Sequence, residues 1–180
     1  MEVFDKCFKE MFSSQLVSII GGLIAGVLLA VYIDKLFLIP GMLILIPGFL
    51  ETRGNVSGSM AARLTSGMYL GVVKVKKIRS KFVRGNVLAS FVLAMAVSLV
   101  LGIVAFVFSF IALGIFVPKI IIIPVLAAIL ANIIEVPLTV FFTFYLFRKG
   151  HDPNNIMGPF VTSTGDITSI VSLLLVVLLI

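Results

Sequence analysis

The chain has 180 residues, of which 61% are hydrophobic and 12% are charged, and its mean hydropathy is +1.26. Soluble domains average roughly 45–50% apolar and 25% charged residues, so this composition excludes a soluble globular protein. A net charge of +6 would favour nucleic-acid binding in a soluble protein. In a protein that lies in the lipid bilayer we assign the excess basic residues to cytoplasmic loops, and we expect no nucleic-acid partner. The single cysteine, Cys7, and the single histidine, His151, exclude an internal disulfide and a His-rich zinc site.

The hydrophobic segments predict an all-α integral membrane protein with five transmembrane helices. Residues 1–12 place their apolar side chains on one helical face, which predicts a short amphipathic helix at the membrane interface. Residues 13–180 then form the transmembrane domain. Its apolar segments cover residues 14–33, 37–73, 85–115, 120–147 and 157–180.

The second apolar segment predicts a broken helix. A continuous helix over residues 37–73 would be roughly 55 Å long, which exceeds one bilayer crossing. Its middle also contains Pro47-Gly48 and a polar run over residues 51–59. We therefore predict two shorter segments, 37–50 and 57–73, joined by a polar stretch that lines a cavity, since irregular backbone at membrane depth must avoid lipid.

The distribution of basic residues predicts the orientation. With the N-terminus in the cytoplasm, ten of the fourteen Lys and Arg residues fall in cytoplasmic segments, and six of these lie within residues 74–84. Lys35 and Lys119 alone fall on the outer side. Because cytoplasmic loops carry an excess of Lys and Arg, this count predicts five spans with the N-terminus in and the C-terminus out.

The polar residues near Asp166 predict a site for a hard cation. At helical spacing Thr162, Asp166 and Ser169 share one face, with Ser163 beside it. Carboxylate and hydroxyl groups without sulfur or imidazole are typical ligands of Mg²⁺. A hydroxyl-rich helix also packs well through hydrogen bonds, so a structural role for these side chains is the alternative.

Further oxygen donors lie in the second segment and in the fourth. Glu51 and Asn55 provide side-chain oxygens, and a break at Gly54 and Gly58 would expose backbone carbonyls. The remaining candidates for the cavity lie three residues apart on one face of the fourth segment and are Asn132 and Glu135. The alternative for Glu51 and for Glu135 is a structural ion pair with Arg63.

Two motifs carry a resemblance to a known family. Residues Pro47-Gly48-Phe49-Leu50-Glu51-Thr52-Arg53-Gly54-Asn55-Val56, followed by Ala62-Arg63-Leu64, resemble the hallmark segment of the MgtE/SLC41 magnesium transporters and channels. The stretch from Asp152-Pro153 through Gly158-Pro159-Phe160-Val161-Thr162 to Gly165-Asp166 is similar to the last transmembrane helix of that family. Bacterial MgtE proteins commonly have Gly-Asn-Val-Gly-Ser-Gln where this chain has Gly54-Asn55-Val56-Ser57-Gly58-Ser59, and the preceding Glu-Thr-Arg is closer to the SLC41-like branch.

The resemblance implies a homodimer with five helices per subunit and a cation pathway along the two-fold axis. It implies that Asp166 binds the ion, that the carbonyl of Thr162 faces the pore, and that Asn55 is the asparagine of the family signature. The chain shows no counterpart of the cytosolic regulatory domains of bacterial MgtE. Gating by such a domain would then require a separate regulatory protein.

These observations predict a multi-pass protein of the cell membrane that transports a divalent cation, most simply Mg²⁺, and that is not an enzyme. Oxygen ligands do not separate Mg²⁺ from Mn²⁺, Ca²⁺ or Co²⁺. One alternative is a scaffold or partner subunit, favoured by small-residue helix faces and by the basic loop at residues 74–84. The other is an intramembrane aspartyl protease that uses Glu135 and Asp166, which would require the two carboxyl groups to share a proton.

Overall fold

The computed structural model describes residues 2–180, with side chains from Phe4 onward. Within this part of the chain the structure contains five α-helices, which confirms the predicted all-α class. They are α1 (Glu2–Leu36), α2 (Met42–Tyr69), α3 (Lys81–Leu113), α4 (Lys119–Arg148) and α5 (Pro153–Leu179). Four of the described helices, α1, α3, α4 and α5, are long and apolar enough to cross a membrane. The chain is therefore a multi-pass membrane protein by the hydropathy of its helices.

Helix α2 corrects one prediction, because it is not broken. The two segments predicted at 37–50 and 57–73 form one uninterrupted helix from Met42 to Tyr69, about 42 Å long. The chain on either side is a turn, with φ of 88° at Gly41 and 71° at Gly71, so the helix is shorter than the apolar segment. The polar residues do not interrupt the helix because they bond within it. For example, Asn55 Nδ2 donates to Glu51 Oε1 over 3.1 Å.

Helix α5 lies at the centre of the bundle, where it packs against α1, α2 and α4. Helix α3 packs on the outside of α2 and α4, and α2 also contacts α4. The approach of α3 to α4 is close at Gly102, where a Cβ atom would lie 2.9 Å from the Cα of Ile121. Glycine is required there for the two helices to keep this distance. The three helices α2, α4 and α5 thus form the centre on which the polar residues are arranged.

The N-terminal residues continue directly into the first span. Helix α1 runs without interruption from Glu2 to Leu36, about 52 Å, which is longer than the roughly 30 Å hydrocarbon layer. Lys6 Nζ donates to the carbonyl of Gly150 over 2.8 Å, and Glu10 lies 2.9 Å from His151 Nδ1. These polar contacts connect the N-terminal part of α1 to the loop between α4 and α5. The interfacial location of residues 1–12 stays a prediction.

Candidate cation-binding site

A polar groove runs between α2 and α5 on the outer surface of the bundle. Its volume is about 570 Å³. Its lining residues are Pro47, Leu50, Glu51, Gly54, Asn55, Gly58 and Ser59 from α2, and Gly158, Val161, Thr162 and Asp166 from α5. Gly54 lies against α5, where a Cβ atom at this position would be 3.5 Å from Thr162 Oγ1, an ordinary van der Waals contact. Oxygen-bearing side chains line the groove from both helices.

Two carboxylates give the groove a negative charge. Glu51 on α2 and Asp166 on α5 both line it, and no Lys or Arg does. The amide of Asn55 donates to Glu51, and the hydroxyl of Thr162 donates to the carbonyl of Gly158 over 3.0 Å, so its own lone pairs stay available. Every donor group that the groove can offer to a metal is an oxygen. Such a set attracts hard cations and repels anions.

The groove opens away from the bundle rather than into its centre. The side chains of Glu51, Asn55 and Thr162 are exposed in the single chain, and Asp166 is half-buried. Helix α5, which carries Asp166, belongs to the apolar helices that can span a membrane. A charged side chain facing lipid costs at least about 2.5–3.5 kcal/mol at the bilayer centre. An uncovered groove with two carboxylates is therefore unfavourable in the hydrocarbon layer.

A second polar cluster lies in the protein interior, behind the groove. Arg53 is 1% exposed, and its Nη1 donates to Asn132 Oδ1 on α4 over 2.5 Å. Glu135, which is fully buried, accepts a hydrogen bond of 3.0 Å from the hydroxyl of Thr164 on α5. Arg53 and Glu135 bring opposite formal charges to this cluster, and among the described residues no ion pair within 4.0 Å joins them. The cluster joins α2, α4 and α5, the helices that build and support the groove.

Comparison with known proteins decides the family. The model of the MgtE family, described as divalent cation transporter, matches residues 46–176. The chain belongs to the MgtE family. The match covers more than two thirds of the chain and includes both walls of the groove. No curated protein is similar enough to the chain to count as a relative.

Membership of the MgtE family makes the chain a divalent cation transporter and not an enzyme, as the two sequence motifs predicted. The aspartyl-protease alternative is thereby excluded. Its proposed dyad is also divided between two places, because Asp166 lines the groove whereas Glu135 is fully buried. The transporter assignment also replaces the scaffold alternative, which rested on small-residue helix faces and on the basic loop at residues 74–84.

Six of the ten predicted site residues lie together in the groove of this MgtE protein. They are Glu51, Gly54, Asn55, Gly58, Thr162 and Asp166. The other four lie elsewhere: Asn132, Glu135 and Ser169 are buried in the interior, and Ser163 packs against Gly21 of α1. Ser163 and Ser169 lie outside the groove because α5 packs against three helices, α1, α2 and α4. The spacing of residues along α5 does not show which of these helices each side chain faces.

The predicted alternative of a structural ion pair with Arg63 is wrong. Arg63 Nε donates to Asn86 Oδ1 over 2.8 Å, and its Nη2 donates to Ser90 Oγ over 3.2 Å, both on α3. The cation beside Glu135 is Arg53, which the sequence analysis did not single out. Arg53 lies one residue from the groove residue Gly54, but its side chain bonds Asn132 on α4 rather than lining the groove. If α2 had been predicted as one continuous helix, the 100° step between neighbouring residues would have shown that Arg53 and Gly54 point in different directions.

The groove of a single subunit does not form a complete protein cage for a metal ion. Among the described residues no three His, Cys, Asp or Glu side chains are placed to hold one ion. Glu51 and Asp166 are the two acidic groups that the groove offers to a cation.

Proposed function

We propose that this MgtE protein transports Mg²⁺ through the groove between α2 and α5. Asp166 and Glu51 supply the negative charge, and Asn55 and Thr162 supply neutral oxygen atoms. The observation that carries the proposal is the pair of carboxylates in a groove on the outer face of a membrane helix bundle. Such groups persist in membrane segments where they bind an ion or line a hydrated pathway.

The proposed active form is a homodimer in which a second copy covers the groove. Two copies related by a two-fold axis would bring together four carboxylates, two from each chain. Without a cation these carboxylates repel one another, and a hydrated divalent ion between them balances the charge. Closure by a second copy would also remove the exposed polar face from lipid. We propose that the ion pathway follows this two-fold axis.

The volume of the groove suits a hydrated ion. A Mg²⁺ ion with six waters, at about 30 Å³ for each water, occupies roughly 180 Å³, well within the 570 Å³ available. Mg²⁺ gives up its waters reluctantly, so a wide site with few charged ligands favours it over Ca²⁺, which takes 6–8 direct oxygen ligands. We therefore propose Mg²⁺ as the principal substrate within the family's class of divalent cations, with Mn²⁺ and Co²⁺ as the nearest competitors.

We further propose five spans in the cell membrane, with the N-terminus in and the C-terminus out. Helix α2 is long enough to cross the bilayer, and the groove makes its charged residues compatible with that depth. The basic segments also meet at one end of the bundle. Lys6 contacts the loop after α4 at Gly150, and Arg148 Nη2 donates to the carbonyl of Val75 over 2.6 Å. This common location supports the predicted cytoplasmic side.

Single-cysteine variants in a Cys7→Ser background test the ion site. Ser59 lines the groove, whereas Ser66 lies two turns further along the same face of α2 and does not. We expect excess Mg²⁺ to slow alkylation of the Ser59→Cys variant by a water-soluble maleimide and to leave the Ser66→Cys variant unaffected. Equal protection of both variants, or of neither, would contradict an ion site in the groove.

The Ser59→Cys variant also tests the dimer. We expect mild oxidation in membranes to link two copies through this position, because the groove faces its own copy across the axis. The matched control is Val92→Cys, which places the thiol on the exposed face of α3 and should stay monomeric. Crosslinking at Val92→Cys but not at Ser59→Cys would place the dimer interface on another face.

A further inference from the structure

A second groove, different in chemistry, lies between α3 and α4. Its volume is about 620 Å³, and apolar side chains form almost all of its walls. Val83, Val87 and Phe91 follow one another at intervals of four residues on α3, and Val136 and Val140 face them from α4. Pro137 also lines the groove. The groove is an apolar depression on the surface of the bundle and lacks the oxygen-rich walls of the cation groove.

Two arginines lie at one end of this apolar groove. Arg79 precedes α3 and Arg84 lies in its first turn, and both line the groove with exposed side chains. Neither side chain has a hydrogen bond or an ion pair with another described residue. The other arginines outside the core differ in this respect, since Arg63 binds α3 and Arg148 binds the carbonyl of Val75. Two guanidinium groups are thus free to bind an external anion.

The two ends of this apolar groove match the two parts of a phospholipid. The arginine end matches the headgroup, and the apolar walls match an acyl chain. The arginine end belongs to the basic end of the bundle, where Val75 of the same loop meets Arg148 at the end of α4. From Val83 to Phe91 the groove extends about 12 Å along α3. This length is similar to that of the acyl-chain segment nearest the headgroup. Arginine and lysine side chains near helix ends extend towards headgroups and leave their stems on apolar surface.

We propose that this groove is a binding site for one anionic phospholipid. Its phosphate is held by Arg79 and Arg84, and one acyl chain lies along Val87 and Val140 towards Phe91. Guanidinium groups favour phosphate because their planar donors bind two oxygens at once. A headgroup without a second positive charge, such as phosphatidylglycerol, complements the two arginines better than the zwitterionic phosphatidylcholine.

This lipid site is separate from the cation groove. Helix α3 packs on α2 and α4, whereas the cation groove is formed by α2 and α5. The two grooves have no lining residue in common. The lipid proposal stands on the apolar walls and the two free arginines, and it does not depend on which ion is transported.

Native mass spectrometry of the purified full chain tests the site, with phosphatidylglycerol or phosphatidylcholine added to the detergent-solubilised protein. We expect the wild type to bind phosphatidylglycerol with a preference of roughly 30-fold, the combined effect of two basic residues at about 1 kcal/mol each. The variant Arg79→Gln/Arg84→Gln should lose most of that preference. The matched control, Lys76→Gln/Lys77→Gln, removes the same charge from the same loop without touching the groove and should retain it.

A second pair of variants tests the acyl-chain part of the site. Val87→Trp fills the groove and should weaken lipid binding while both arginines remain. Val92→Trp adds the same side chain on the exposed face of α3 outside the groove and should bind lipid like the wild type. Three results would overturn the proposal: equal binding of the two lipids, equal losses in the arginine and lysine variants, or crosslinking between copies through Leu88→Cys in a Cys7→Ser background.

Discussion

Replacement of Asp166 with asparagine should lower Mg²⁺ flux in proteoliposomes by at least about 100-fold. The substitution keeps the size of the side chain and removes one of the two charges in each groove. At a separation of about 4 Å and an effective dielectric constant of 20, a single charge contributes roughly 4 kcal/mol per unit charge of the ion. The loss of that attraction, even partly screened by water, exceeds the 2.7 kcal/mol that corresponds to a 100-fold weaker ion affinity, and flux falls in proportion when Mg²⁺ is below saturation.

The fold should tolerate this substitution, because Asp166 lies in the groove wall rather than in the buried cluster. The matched control is Asp34→Asn, an exposed carboxylate at the end of α1, which should transport like the wild type. Glu51→Gln should give a smaller loss, since Glu51 already shares its charge with the amide of Asn55. Normal flux in a folded Asp166→Asn variant would remove this residue from the transport mechanism.

Replacement of Arg53 with methionine should destabilise the protein by about 3–5 kcal/mol. The substitution removes the buried cation of the interior cluster and leaves the buried carboxyl group of Glu135 there without an opposite charge, and an uncompensated buried charge is costly. It also leaves Asn132 Oδ1 without its donor from α2. Unfolding in a detergent or urea titration, followed by size-exclusion chromatography, measures the change in the free energy of unfolding.

Two comparisons separate this charge effect from a loss of packing. Arg63→Met removes an arginine from the same helix at an exposed position, where the expected cost is within about 1 kcal/mol. The double variant Arg53→Met/Glu135→Leu removes both charges and should recover a large part of the stability. A mild effect of Arg53→Met, equal to that of Arg63→Met, or simple additivity in the double variant would show that the cluster does not act as a unit.

The apolar segments were sufficient to predict the helical class and the number of helices, because bilayer-length hydrophobic runs leave few other structures. Polar residues in the apolar segments also predicted Glu51, Asn55, Thr162 and Asp166, which the fold brings together in one groove. Polarity alone did not separate them from Asn132 and Glu135, which are buried in the interior.

The sequence did not predict how the side chains of α2 divide between two sides of the helix. Glycines and proline at residues 47–58 indicated a break, yet the helix continues, because Gly54 and Gly58 lie against α5 rather than in a free loop. Because the helix was predicted to be broken, the sequence did not predict the contact of Arg53 with Asn132 on α4. Helix-breaking residues reflect intrinsic preference, and contact with a neighbouring helix overrides that preference in a packed membrane domain.

The central claim is that this chain carries divalent cations across a membrane. The most direct measurement is Mg²⁺ uptake by proteoliposomes that contain the purified wild-type protein and an internal Mg²⁺ indicator, with Mn²⁺, Ca²⁺ and Co²⁺ as competitors. We expect uptake well above that of protein-free vesicles, and stronger inhibition by Mn²⁺ and Co²⁺ than by Ca²⁺. Folded protein that transports neither Mg²⁺ nor any of the three competing ions would contradict it.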